Sequence, residues 1–539
     1  MKNIATGIST ALEGWMNVSV PVQIEGTELK IHPRYMTALL KTMATASQEY
    51  YEGKRAGSPE KSKDLCILLN VLAGRDPRGS GSANLAITDI PYSERAIISR
   101  VDRGLDVALK VATASYLGSV GQAILSRHPG VFHQNGHTVG VDYEQPEFAK
   151  VGRLSRFDAA ARRWHVELRK SRLVQSTLQT TTSVLQQTAF VDTAGSRILQ
   201  ANELLNFALS AISVDAQGRE FQVPAYIYFA GADTYSERVV ERRIEKIIAE
   251  VEARHRAVDI TTGPYPTLMD GRAVGTMIHE AFAAHLLSGK YIAEGDSTVF
   301  AGRLDQRILP EYLSIIDDPT INGGVASFAF DEEGVATKRA VLVENGILRG
   351  YLLDKKSAAM LSVLLGRELV SNGRARSEWA TDDSLEAVMG SRVVSPEPRI
   401  TNMYVESSQM HSEESMYDGL MELMREQNQP YGLYVEGGGG QVDPESGSFS
   451  LNPERVWRID HKGNKELVKE ARLVLNPDDI SRLLVATGHP YRTSFGVCGA
   501  ESGHVPTQER APAFLMASMI AIAGEKDYST ARLKDRLEM

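Results

Sequence analysis

Two hydrophobic periods divide the chain. In the first half, "DRGLDVALKVATASYLGSVGQAIL" places Leu105, Ala108, Leu109 and Ala112 at helical spacing. "AFVDTAGSRILQ" and "AISVDAQGREFQV" read as hairpins, each turning at a glycine after a polar residue. From about Ser236 a long helix follows. Val240, Ile244, Ile247, Ile248 and Val251 form its single apolar stripe among charged positions, suited to packing on a sheet or a partner subunit.

Gly263, Pro264 and Pro266 punctuate the chain after that helix. Asp270 can cap the next one, which runs through Ala273, Val274, Met277, Ile278 and Phe282. Beyond it the period falls to two. "ASFAFDEEGVATKRAVLVENGILRGYLLD" alternates around the tight-turn dipeptides Glu333-Gly334 and Asn345-Gly346, and "RVWRIDHKGNKELVKEARLVL" repeats the pattern. The expected class is α+β. An N-terminal α/β domain (residues 1–262) precedes a mainly antiparallel β domain (residues 263–539) whose first helix carries the candidate chemistry.

A length of 539 residues implies more than one core, and 42% hydrophobic with 24% charged residues is ordinary for a globular protein. The net charge of −9 argues against a general nucleic-acid binder, and the bases of residues 241–256 alternate with acids. Two cysteines, Cys66 and Cys498, rule out a disulfide framework and suit a reducing compartment. Cys66 reads as a buried thiol. Glu13 interrupts any signal-like apolar stretch, and "AFLMASMIAIAG" is too short to span a bilayer. A cytoplasmic protein without membrane contact is expected.

The candidate chemistry lies in "GTMIHEAFAAHLLSGKY", which holds His279, Glu280 and His285. Neutral imidazoles bind a borderline metal such as zinc, while a nearby carboxylate takes a proton from water activated on it. In the common His-Glu-x-x-His arrangement both histidines share one helix face. Here they are six residues apart, roughly 120° around a regular helix. They converge only through a wide turn or a helix end near Ala283-Ala284; otherwise each is satisfied separately in a packed helix. Cys498 in "SFGVCGAESGHVP" sits between Gly496 and Gly499, a segment suited to an exposed, tightly bent loop. Its thiolate beside two imidazoles would leave one coordination position open, as a catalytic zinc site requires. His504 is a weaker candidate in the same segment.

These segments, with "STVFAGRLDQRILPEYLSIIDDPT", "SNGRARSEWA" and "PRITNMYVE", make the second half similar to the TldD/PmbA family of metallopeptidase-like proteins, most to its longer bacterial branch. The first half resembles it more loosely, through "GLDVALKVATASYLGSV" and "FVDTAGSRIL". The resemblance implies that His279, the second histidine and Cys498 bind one zinc ion and that Glu280 is the general base. It also implies a peptide or unfolded-protein substrate, and a homodimer or a heterodimer with a related family member around an enclosed site. The family pattern is His-Glu-x-x-x-His followed by Glu-Gly. Here Ala284 stands where the second histidine is expected. With one inserted residue, His285 takes the role and Ser288-Gly289 replaces Glu-Gly; without it, the ligand is lost. The register of Gly289 in "SGKYIAEGDSTVF" favours insertion.

Asp317-Asp318-Pro319 offers acid–base groups or a carboxylate-capped turn. "YVEGGGGQVDPESGSF" could cradle an anion but lacks the Lys-Ser/Thr ending of a nucleotide loop, and the family resemblance implies a flexible segment beside a substrate channel. Arg374, Arg376 and Asn402 suit substrate contact or a structural role. Three functions stay open: a metal-dependent peptidase, a catalytically silent PmbA-like subunit of a paired complex, and a binding protein outside proteolysis.

Overall fold

The computed structural model describes residues 1–24, 27–74, 81–87, 93–126, 140–145, 154–215, 218–377 and 395–523. Among them the first half forms a nine-stranded sheet. Its centre is antiparallel, in the order Gly81–Ile87, Glu60–Gly74, Thr27–Tyr51, Ser176–Asp192, Arg197–Val214. The two expected hairpins are present. Asp192 shapes the first turn by accepting from the amides of Ala194 and Ser196 at 3.0 and 2.7 Å, and Gly195 takes φ +90°. Helices Lys2–Trp15 and Glu94–Ser126 cover one part of the sheet, burying Leu105, Ala108, Leu109 and Ala112. Helices Asp158–Leu168 and Glu237–Arg254 cover another, the latter through Val240, Ile244, Ile247 and Val251.

The second half is built on a thirteen-stranded sheet among the described residues. Its pairs are antiparallel except Gly263–Met269 with Tyr431–Glu436 and Asn402–Ser407 with Gly503–Ala523. Alternation splits its two faces. Phe514 and Met516 enter the main core with Val274, Met277, Ile278 and Phe282, whereas Leu515 faces Met416, Leu420 and Met424 of helix Glu413–Glu426. Asn345 and Gly346 (φ +48° and +78°) turn the hairpin Ala340–Glu344/Ile347–Leu348, and Gly463 (φ +80°) turns Arg455–Asp460/Lys465–Leu467. The alternating residues 326–338 do not form a regular strand. The buried Asp331 carboxylate instead collects the amides of Glu333, Val335 and Ala375. That fixes a loop whose Gly334 (φ +75°) rests on Phe190 of the first sheet.

Other ties join the halves. Lys41 Nζ meets Glu332 at 2.7 Å, and Arg455 meets Glu250 of helix Glu237–Arg254 at 2.8 Å. No helix among the described residues is long and apolar enough to cross a membrane.

Candidate metal centre

The site starts from a cap. Asp270 ends strand Gly263–Met269 and accepts from the amides of Arg272 and Ala273, which opens helix Gly271–Ile278 as the sequence pattern predicts. Gly271 and Gly275 share one face of that helix. A Cβ on Gly271 would lie 2.1 Å from the Ala511 carbonyl oxygen, and one on Gly275 3.0 Å from Glu509 Cβ. The two glycines therefore let the helix lie against the hairpin Leu484–Ala500/Gly503–Ala523 at backbone distance.

Residues His279–Ala283 then widen into a π-turn. The amides of Ala284 and Leu287 donate to the carbonyls of His279 and Phe282, five residues back, at 2.8 and 2.9 Å. This wide turn and the helix end beyond it return His285 to the side of His279, with ring centroids 6.3 Å apart. A regular helix would separate the two by about 9 Å along its axis.

Cys498 completes the group. Its Sγ lies 3.9 Å from His285 Nε2, and one donor atom from each of His279, His285 and Cys498 lies within 4.8 Å of the others. Cys498 is not on an exposed loop. It is buried on the long strand Leu484–Ala500, two residues before the strand's end, with helix Gly271–Ile278 packed against that hairpin. Its flanking glycines serve close cross-strand contact: Gly499 lies against the His504 ring. His504 itself is exposed opposite Gly499 and outside the cluster. Cys66 is half-buried on strand Glu60–Gly74.

Sequence reasoning missed the groups that hold the cluster. Glu509 Oε1 lies 2.9 Å from His279 Nδ1, which leaves Nε2 as the donor towards the cluster. Thr507 Oγ1 (2.7 Å) and Ser494 Oγ (3.1 Å) donate to the two oxygens of Glu509. The available signal was the strand period, since Thr507 and Glu509 share a face and Ser494 pairs opposite Glu509. Arg399 donates to the carbonyls of Cys498 and Gly503 and to Ser502 Oγ, clamping the end of the hairpin.

The electrostatics follow from this packing. Burial pushes the Cys498 thiol up, but His279, Arg399 and the hydrogen bonds from both histidines outweigh it and hold the thiol well below its ordinary value. Burial likewise opposes charge on His279, yet Cys498 and Glu509 hold that imidazole well above its ordinary value. Burial raises the Glu280 carboxyl against the opposing pull of His279 and His285. Glu280 Oε2 sits 3.5 Å from His285 Nε2. Two imidazoles and a thiolate-prone cysteine fit a zinc-type ion. Zinc–nitrogen and zinc–sulfur bonds place such donors about 3.6 Å apart in a tetrahedron, close to the spacing of His285 and Cys498.

The weaker candidates are structural. Asp317 is fully buried and takes Arg374 Nε at 2.5 Å with the amide and hydroxyl of Thr401, so it faces no substrate. Arg376 donates to the carbonyls of Ile400 and Pro506, and Asn402 to Asp318 O and Ser327 Oγ. The glycine-rich segment lies directly against the site helix, where Thr276 Oγ1 donates to Gly438 O at 3.0 Å.

Residues 262–523 match the family described as the PmbA/TldA metallopeptidase C-terminal domain. The chain is 29% identical over 343 residues to a metalloprotease of Methanothermobacter thermautotrophicus, covering 63% of this chain and 68% of that one. It is 28% identical over 351 residues to a metalloprotease TldD homolog of Haemophilus influenzae, covering 64% and 66%. It thus spans about two-thirds of the length of both. The fold is similar to TldE from Thermococcus kodakarensis, with TM-score 0.62, 13% identity and coverage of 91% of this chain and 97% of that one.

Proposed function

The chain belongs to the TldD/PmbA family, a metallopeptidase-type family, and from that premise we propose that it hydrolyses unfolded or short peptides with a zinc ion held by His279, His285 and Cys498. The observation that carries this reading is the convergence of those three donors beside a half-buried carboxylate. When bound, the ion supplies Lewis acidity to water and to the peptide carbonyl. Glu509 orients His279 and fixes its tautomer. Glu280 takes the proton of the attacking water and returns it to the leaving amine, a role served by a carboxyl that burial has raised. Cys498 and its cross-strand partner Val505 both belong to the main core, which backs the cluster on that side.

The same reading places the chain in the cytoplasm, as a homodimer or paired with a related chain, with the domain boundary at residues 262–263. It is tested by Glu280→Gln in full-length protein. Metal content by elemental analysis should stay near that of the unaltered protein, and peptide cleavage should fall about 10²–10⁴-fold. Undiminished cleavage would refute the role of Glu280. Protein that retains no metal would instead be a silent subunit.

A further inference from the structure

The four glycines Gly437–Gly440 do not share one cause. Gly437 and Gly438 take φ +55° and +138°, which side chains rarely adopt, and Gly439 faces open space. Gly440 has no such φ and lies in the paired strand Gly439–Val442, opposite Leu451. A glycine there weakens the strand unless something approaches closely. A Cβ on Gly440 would fall 2.7 Å from Glu280 Cγ, 2.8 Å from Phe449 Cε2 and 3.3 Å from Thr276 Cγ2.

Those three neighbours differ in their freedom to move. Phe449 is 1% exposed in the main core, and Thr276 is tied to Gly438 by its hydroxyl. The Glu280 side chain is 14% exposed, and among the described residues no hydrogen bond anchors its carboxylate. Its one ion-pair partner, His285, is a group the metal would engage. The stem of Glu280 is therefore held by packing, and the wall it packs on is the bare backbone of Gly440.

We propose that Gly440 is a positioning residue for Glu280: its missing side chain makes the slot that aims the carboxylate. The inference rests on Glu280 as the proton-transfer group. A side chain at residue 440 presses on Phe449 and displaces the Glu280 stem, the neighbour that neither core nor hydrogen bond holds. The carboxylate then leaves its place while the metal donors, which are not among the atoms nearest that side chain, stay in theirs.

A double-mutant cycle on metal-loaded, full-length protein tests it. Gly440→Ala should lower the melting temperature by about 2–4 °C, and by clearly less in a Glu280→Ala background, where the opposing Cγ is gone and only the Phe449 contact remains. Bound metal by elemental analysis should not change. With fluorescein-labelled unfolded casein, kcat of Gly440→Ala should fall about tenfold or more while KM stays within twofold. Equal melting losses in the two backgrounds would assign the space to Phe449 and overturn the proposal, whatever the activity. Coupled losses with an unchanged kcat would overturn it as well. Coupled losses in a protein whose unaltered form cleaves nothing would keep the Gly440–Glu280 contact and refute the peptidase reading alone.

Discussion

The amide of Ala284 donates to the carbonyl of His279 at 2.8 Å, one residue further back than an α-helical bond reaches. That single bond reconciles a six-residue histidine spacing with a shared site. A π-turn inside a helix accommodates one extra residue and is frequent at functional positions. Ala283 and Ala284 offer no bulk against it, and both are buried in the main core.

If the turn serves to return His285 to the cluster, His285→Ala should weaken zinc binding by more than the about 10–100-fold typical of residues that only orient a ligand. Competition with a chromogenic chelator measures this, with circular dichroism to confirm an unchanged fold. Unaltered affinity and activity would remove His285 from the site.

Metal loading should release protons. Without the ion, Cys498 and Glu509 hold a proton on His279 well above the ordinary imidazole range, and that proton competes with the metal. The apparent affinity should therefore rise with pH until His279 deprotonates and fall as pH drops. Titration calorimetry in two buffers of different ionisation enthalpy gives the proton count. A count of zero across pH 6–8 contradicts a protonated His279.

Glu509→Gln keeps the shape of the side chain and removes its charge beside His279. Zinc affinity should fall about 10–100-fold, and the metal-free form should melt lower because its protonated His279 loses a buried partner. A change in affinity below twofold would show that Glu509 does not orient His279 for metal.

A fourth expectation concerns the junction of the halves. Burial together with Asp354 and Asp331 pushes Glu333 up to about 8, only partly offset by Lys355. The folded state thus holds a proton the unfolded chain releases near 4.5, so this group's contribution is complete below about 4.5 and is lost as pH rises through 8. Glu333→Gln can still accept the Lys355 amide that Glu333 Oε2 accepts at 2.8 Å. It should raise the melting temperature by about 2–4 °C at pH 8 and change it little at pH 5. Equal shifts at both pH values would contradict the assignment.

Local signals carried the fold where one residue type decides the backbone. Asn345-Gly346, Gly463 and the Asp270 cap act as their chemistry requires, and the distant groups that reach them, such as the Gly437 amide on Asp270, only add to it. The stretch around Asp331 escaped, since its apolar alternation was overruled by a carboxylate that gathers three amides. Residue type singled out His279, Glu280, His285 and Cys498, their joint role rested on the family resemblance, and the six-residue spacing required a wide turn or helix end of the kind found at His279–Ala283. The setting of Cys498 was not. Neighbouring glycines suggest a bend, and nothing local tells that a helix 220 residues earlier packs against the strand. Glu509 was hidden for the same reason, as its meaning depends on the strand register that faces it with Ser494.

One hairpin carries both Cys498 and Glu509, and one helix with the wide turn and helix end that follow it carries both histidines. The centre is therefore a joint between two rigid bodies, and its bore is gauged by Gly271 against Ala511 and Gly275 against Glu509. A methyl group at either glycine would act as a shim between the helix and the hairpin, spacing His279 from Cys498. The fit of the proposed metal site is thus gauged in part by two glycines that donate nothing to it.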